Sequence, residues 1–383
     1  MSAHHGRGET LGVSVDGLLT ATALGLPLGR LPAGAHNAIT DVAGVRVGHC
    51  TVTARGRPEV QTGVTVVLPH GGNLFREKVV AATHVINGFG KSSGLAQVDE
   101  LGQIESPIAL TNTFSVPAVT DGLLDHLLAE NAEIGRSTGS VNPIVGECND
   151  GFLNDLRGRH VTREHCARAL ACARTGAVQQ GAVGAGRGMS AFELKGGIGS
   201  SSRVVDDPEG PMAVGVLVLS NFGTLPELTI AGRRIGEDLA RDPQFARPEG
   251  SDASGSGSIM VIVATDAPVC SRQLGRILRR AQNGIARTGS ATASGSGEVV
   301  IGFSTAARIA HAPTATSELR AVLREDGPLF DELFLAVTEA TEEAVVNSLL
   351  NGVAVTGRDG HGRQAFPNDW LERCFPTHER RVQ

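Results

Sequence analysis

Two echoed segments restrict this chain most: "ASGSGSIMVIVAT" (253–265) and "ASGSGEVVIGFST" (293–305). In each, a Gly/Ser turn runs without a break into an apolar, β-branched stretch. Ile259-Met260-Val261-Ile262-Val263 offers no polar side, so as a strand it must be covered on both faces. "GVRVGH" (44–49), "GVTVVLP" (63–69), "KVVAATHVI" (78–86) and "MAVGVLVLSN" (212–221) read as further strands, several of them equally apolar. Covers are available in helical patterns that alternate irregularly with these runs. "VTDGLLDHLLAENAEIG" aligns Leu123, Leu124, Leu127 and Leu128, and "TREHCARALACARTG" opens on Thr162 and stops at Gly176. "SRQLGRILRRAQNGIAR" opens on Ser271 and reads as one helix through Leu274, Ile277, Leu278, Ala281 and Ile285, and "DELFLAVTEATEEAVVNSLLNG" runs from about Asp331 to Gly352. The expected architecture is one layered α/β domain over 1–383, with residues near 240–257 as its most exposed internal segment.

The echo has two readings. Two Gly/Ser turns feeding two neighbouring strands account for the repeat by itself. If the strands are neighbours, the same turns also bring Ser258 from one, and Ser296 and Glu298 from the other, to one edge of a sheet.

Composition excludes several functions. Aromatic residues are 3% and Tyr is absent, which removes stacking platforms for single-stranded nucleic acid. A net charge of −6 gives no nucleic-acid footprint. No apolar stretch approaches the length of a membrane span. Cys50, Cys148, Cys166, Cys172, Cys270 and Cys374 show no C-x-x-C spacing and read as reduced thiols; with no basic-then-apolar start in "MSAHHGRGETLG", the expected compartment is the cytoplasm.

Several motifs fail on inspection. "GFGKSSG" (88–94) is no phosphate loop, because Val85 stands where that motif needs its first Gly. "GAVGAGRGMSAF" (181–192) does not complete a dinucleotide fingerprint and reads as a tight backbone passage. His160, His165, Cys166 and Cys172 lack zinc spacing, so no metal is expected. Around Ser256 the chain reads Ser254-Gly255-Ser256-Gly257-Ser258, which has no strand before it and is not a G-x-S-x-G nucleophile elbow.

Ser251, Ser254, Ser256 and Ser258 sit inside eight residues where the first echo begins. A serine hydroxyl is a weak nucleophile without a base, and no His is close in sequence. If the bond before a serine breaks, its own α-amine, with a reference pKa of about 7.7–8.0, becomes that base. Such a site needs a small preceding residue, an accessible loop upstream and a rigid strand downstream. Gly250-Ser251 and Gly257-Ser258 meet the first demand, but only Ser258 runs straight into a strand. A nucleophile on a loose tether loses its orientation advantage.

With "NAITDVAGVRVGH" (37–49), "GFGKSSGLAQVDELG" (88–102), "PIALTNTFSV" (107–116), "VGECNDGFLND" (145–155), "VLSNFG" (218–223) and "SGSGSIMVIVATDAP", the chain closely resembles, over essentially its whole length, the self-processing serine aminopeptidases. These are the DmpA-type L-aminopeptidase/D-amidase-esterases and the β-peptidyl aminopeptidases. The resemblance implies an αββα sandwich, similar to N-terminal-nucleophile hydrolases but differently connected. It implies self-cleavage at Gly257-Ser258 into an α polypeptide (1–257) and a β polypeptide (258–383), and a homotetramer of processed protomers. It also implies Ser258 as nucleophile, Ser296 and Glu298 as its assistants, Asn221 as an oxyanion-hole amide and Glu147 as the acid that receives the substrate's free amine. Substrates would be small peptides, amides or esters, with no cofactor. Two departures touch pocket shape: Cys148 stands where Thr is usual, and Phe152 where Tyr often appears. The nearest rival is an ornithine acetyltransferase-like self-cleaving acyltransferase, which normally uses a Thr nucleophile; a different class would be a non-catalytic, unprocessed α/β assembly protein.

Overall fold

The computed structural model describes residues 17–245 and 257–376. Ser251, Ser254 and Ser256, and most of the segment expected to be exposed, lie outside the described residues. Strands β1 (Arg46–Ala54), β2 (Arg57–Leu68), β5 (Ile108–Asn112) and β6 (Ile144–Cys148) form one sheet in the order β1-β2-β5-β6. A second sheet takes β3 (Glu77–Gly88), β4 (Gln103–Ile104), β9 (Gly197–Val205), β10 (Met212–Asn221), β11 (Ser258–Thr265) and β12 (Gly297–Ala310), in the order β4-β3-β12-β11-β10-β9. Two short ribbons, β7 (Ser190–Ala191) with β8 (Leu194–Lys195) and β13 (Val355–Thr356) with β14 (Gly362–Arg363), pair outside these sheets.

Side-chain alternation on β11 shows why both of its faces had to be apolar. Met260, Ile262 and Ala264 pack between the sheets against Leu110, Ile144 and Cys148. Ile259, Val261 and Val263 face the other way, onto Leu274 and Ile277 of α5 (Ser271–Leu278), Ile285 of α6 (Ala281–Arg287) and Leu333 and Val337 of α7 (Pro328–Leu350). The outer face of the first sheet, with Val64, Val66, Ala109 and Val145, is closed by Val119 and Leu123 of α2 (Val116–Glu130) and Cys166 and Ala169 of α3 (Arg163–Ala171). The order helix–sheet–sheet–helix is the αββα sandwich the sequence led us to expect. Three short helices complete the fold: α1 (Leu95–Leu101), α4 (Ile235–Arg241) and α8 (Asp369–Cys374).

The single helix expected over 271–287 is two. Arg280 N–H bonds Ile277 at 3.0 Å and Asn283 N–H bonds the Arg280 carbonyl at 3.0 Å, three-residue steps that offset α6 from α5. The Arg280 carbonyl also accepts from the Thr338 hydroxyl of α7 at 3.3 Å, so a tertiary contact decides the break. The start also moves: Cys270, not Ser271, is the N-cap, its N–H donating to Gln273 Oε1 at 3.0 Å. On α3 the helix stops at Ala171, short of Gly176.

Helix α7 is buried along most of its length, carboxylates included. Arg203 of β9 enters it, with Nε 3.1 Å from Glu339 Oε2 and Nη1 2.7 Å from Glu343 Oε2. Backbone N–H groups of Arg30 and Leu31 also donate to Glu339, and that of Thr22 to Glu343. This cluster ties the chain's first described segment, the second sheet and α7 together. Removing one member of such a buried set leaves uncompensated charge. Arg203→Ala should therefore lose about 3–5 kcal/mol of stability in urea unfolding, and a loss under about 1 kcal/mol would mean the cluster does not hold the layers.

Candidate active site

Strand β11 begins at the proposed nucleophile. In the ladder, Ser258 lies opposite Asn221 of antiparallel β10 and beside Gly297 of parallel β12. The echoed strands are thus direct neighbours. Ser258 shares its face with Met260, so its side chain points between the sheets, where it is 5% exposed. There it meets the end of β6: Asn149 N–H donates to Ser258 Oγ at 3.4 Å, and the neighbouring Cys148 thiol donates to the Leu219 carbonyl at 3.5 Å. Burial pushes the Cys148 thiol up, which keeps it protonated and inert as a nucleophile.

Gly257 is constrained from the other side. Its carbonyl accepts from Gly297 N–H at 3.2 Å. A Cβ at position 257 would lie 2.5 Å from Phe222 Cα and 2.6 Å from the Asn221 carbonyl, so only glycine passes here without moving backbone.

Asn221 directly faces Ser258 across the ladder. Its Oδ1 accepts from Ser190 N–H at 2.9 Å and its Nδ2 donates to the Asn149 carbonyl at 3.0 Å. A primary amide carries two N–H groups, so this bond leaves a second donor on Nδ2.

Ser296 and Glu298 come together as expected. Ser296 Oγ donates to Glu298 Oε1 at 2.9 Å, and Thr292 Oγ1 to Oε2 at 2.8 Å. Val299 packs between the sheets and Val300 against the helices, so alternation turns Glu298 to the helix side, opposite to the Ser258 side chain. The Ser296–Glu298 pair therefore addresses the main-chain end of β11 rather than Oγ. Burial raises the Glu298 carboxyl above its ordinary range, while the Thr292 and Ser296 hydroxyls act in the opposite sense. Asn87 of β3 binds the Ser294 carbonyl at 3.0 Å and also that of Ser296, fixing the turn before β12.

Glu147 is buried at the end of β6. Oε1 accepts from Lys91 N–H at 2.7 Å and Oε2 from the Thr113 hydroxyl. Both donors are neutral; the Lys91 ammonium folds back onto the Phe89 carbonyl at 2.8 Å and over its ring. Both carboxylate oxygens retain lone pairs that a further donor can use. It lies across Gly90 from Gly297: a Cβ on Gly90 would be 3.5 Å from Glu147 Oε1, and one on Gly297 only 2.8 Å from Gly90 Cα.

Sequence reasoning assigned no role to Asn149, Lys91, Thr113, Thr292, Ser190 or Asn87. Asn149, Lys91 and Thr113 sit inside the quoted motifs "VGECND", "GFGKSSG" and "PIALTNTFSV", which was the available signal. Among the described residues no group of three or more His, Cys, Asp or Glu side chains is arranged to hold a metal ion.

The model of peptidase family S58 matches residues 37–363. The β-peptidyl aminopeptidase BapA of Sphingosinicella microcystinivorans is 39% identical, covering 93% of this chain and 92% of its own. The PH0078 protein of Pyrococcus horikoshii OT3 superposes with a TM-score of 0.87 at 48% identity, over 94% of this chain and 99% of that one. The L-aminopeptidase D-Ala-esterase/amidase of Ochrobactrum anthropi, described as a prototype for the serine aminopeptidases and a variant of the Ntn hydrolase fold, gives 0.84 at 33% identity, over 95% and 99%. A serine at the head of a buried strand, a facing amide and a family match spanning the whole sandwich lead to one conclusion: this chain is a hydrolase that belongs to peptidase family S58.

Proposed function

We propose that this chain is a serine aminopeptidase that cuts itself at Gly257-Ser258 and then removes N-terminal residues from short peptides, amino acid amides and esters through an acyl-enzyme. The observation that carries this reading is the position of Ser258: first residue of β11, paired with Asn221 on one side and Gly297 on the other.

In the processing step, Ser258 Oγ attacks the Gly257 carbonyl carbon, whose oxygen already accepts from Gly297 N–H. The C–N bond breaks as the nitrogen takes the hydroxyl proton, leaving Gly257 esterified to Oγ. That break already frees the Ser258 α-amine; water then hydrolyses the ester and releases the Gly257 carboxylate and the Ser258 hydroxyl. The new amine, with a reference pKa of about 7.7–8.0, is the base for turnover. Ser296 and Glu298 hold it at the end of the strand.

In turnover, Glu147 takes the substrate's ammonium through a charge-assisted bond, which selects a free N-terminus. The α-amine accepts the Oγ proton as Oγ attacks the substrate carbonyl. The Asn221 amide donates to the oxyanion, a contribution typically of about 3 kcal/mol. The leaving amine or alcohol takes the proton, and water completes hydrolysis of the acyl-enzyme. The Cys148 and Phe152 departures from the family pattern alter side-chain preference on this reading. The processed protomers assemble as a homotetramer on this reading.

Intact mass and N-terminal sequencing of purified protein should show chains 1–257 and 258–383, the second beginning Ser-Ile-Met. Ser258→Ala should remain one inactive chain while Ser251→Ala processes normally; a wild-type chain intact after days would sink the proposal. Gly257→Ala should process more slowly, because its methyl meets the backbone of β10. Glu147→Gln should lower kcat/KM for aminoacyl p-nitroanilides by about 10- to 100-fold, the range for a bond to a charged group, and should erase discrimination against N-acetylated substrates. Retained discrimination would place amine recognition elsewhere.

A further inference from the structure

Asn149 links both sides of the site, and the next residue, Asp150, is fully buried beneath it. Asp150 Oδ1 accepts from Asn154 Nδ2 at 3.0 Å, its carbonyl accepts from Leu153 and Asn154 N–H at 3.1 and 2.9 Å, and Thr62 and Asn112 side chains reach its carboxyl. Its Oδ2 has no hydrogen-bond partner among the described residues. That oxygen faces a glycine turn: a Cβ on Gly188 would lie 2.8 Å from Asp150 Cβ and 3.2 Å from Oδ2. The turn is gripped by the buried Lys195, whose Nζ donates to the carbonyls of Gly186, Met189 and Gly196 at 2.9, 2.7 and 2.6 Å. Three acceptors match the three N–H groups of an ammonium. The residue after Met189 is Ser190, whose N–H holds Asn221 Oδ1.

We propose that Asp150 is a positioning residue: it clamps the turn carrying Asn149 against the 186–190 segment and so fixes the Asn221 amide relative to Ser258. The proposal rests on the roles given above to Ser258 and Asn221. The titratable and charged groups around the carboxyl are Lys195, with Arg187 acting on Lys195 in turn, and the Cys148 thiol. Burial lowers the proton affinity of Lys195, and Asp150 opposes that shift. Burial raises Asp150 to about 7, while the neighbouring Thr62, Asn154 and Asn112 side chains act in the opposite sense. A carboxyl raised on folding adds stability below its unfolded pKa of about 3.9. That contribution is lost as pH rises through the folded value, so Asp150 is kept for geometry at a cost that grows toward neutral pH.

The test compares wild type with Asp150→Asn, which keeps the shape and removes the charge. Processing should slow, and kcat for an aminoacyl p-nitroanilide should fall about tenfold or more with KM within about twofold, the signature of misplacement rather than lost binding. The melting temperature of the variant relative to wild type should rise between pH 5 and pH 8. An unchanged kcat in an otherwise active series overturns the inference. So does a kcat loss that matches the unfolded fraction while the relative melting temperature stays flat with pH. A wild type that neither processes nor turns over would instead remove the functional reading beneath it. If Asp150→Asn does not fold, Asn154→Ala, which strips the donor from Oδ1 and leaves the carboxyl, should show the same kcat-selective loss; failure there overturns it.

Discussion

The register of β11 is the constraint on which everything else depends. A strand flanked by antiparallel β10 and parallel β12 gives its first residue a partner on each side, and here those partners are Asn221 and Gly297. A slip of one residue would carry Ser258 and Met260 to the helix side and bring Ile259 into the space between the sheets. Because Met260 and Ile262 fill one interface and Ile259 and Val261 the other, such a slip would disrupt two cores at once. The same apolar packing that stabilises the sandwich therefore aims the hydroxyl. On the proposed role of Ser258, stability and catalytic geometry share one set of contacts.

Around that fixed point the acids are sorted by environment. Glu147 is bound by two neutral donors, the Lys91 N–H and the Thr113 hydroxyl. Glu298 accepts two hydroxyls and is pushed toward its protonated form by burial. Asp150 is sealed behind the site and touches neither Ser258 nor Asn221 in the hydrogen-bond network, although Asn149 beside it bonds both. Three carboxyls within one site thus differ in what surrounds them: a pair of neutral donors, a hydroxyl chain, and a packed turn.

Much of the layering was legible because it follows from which residues cannot face water. The six strands read from the sequence all exist, since β-branched runs bounded by Gly need no tertiary information to be recognised. What periodicity could not show was the break at Arg280, which depends on Thr338 some 58 residues on. The site divides in the same way. Ser258 could be singled out from Gly257 before it and the strand after it. Its dependence on Asn149, and of Glu147 on Thr113 and Lys91 N–H, arises where the ends of two sheets cross, a juxtaposition with no trace in local spacing. Family resemblance proposes the reacting groups; the groups that hold those residues in place appear only once the chain is folded.

The geometry also explains why such a site would be built to be broken. In the unbroken chain the Gly257 carbonyl occupies the Gly297 N–H, and Gly257 is pressed against the backbone of β10. A substrate carbonyl must approach the same hydroxyl, so residue 257 stands where a substrate would have to lie. In the proposed mechanism the intact chain is therefore its own first substrate, bound by the ladder. Cutting it vacates the place next to Oγ, frees the Gly297 donor and creates the amine that serves as base. A precursor with a prebuilt base, such as a histidine beside Ser258, would be reactive before the pocket was open. A base that comes into being only through the cut ties activity to an empty site.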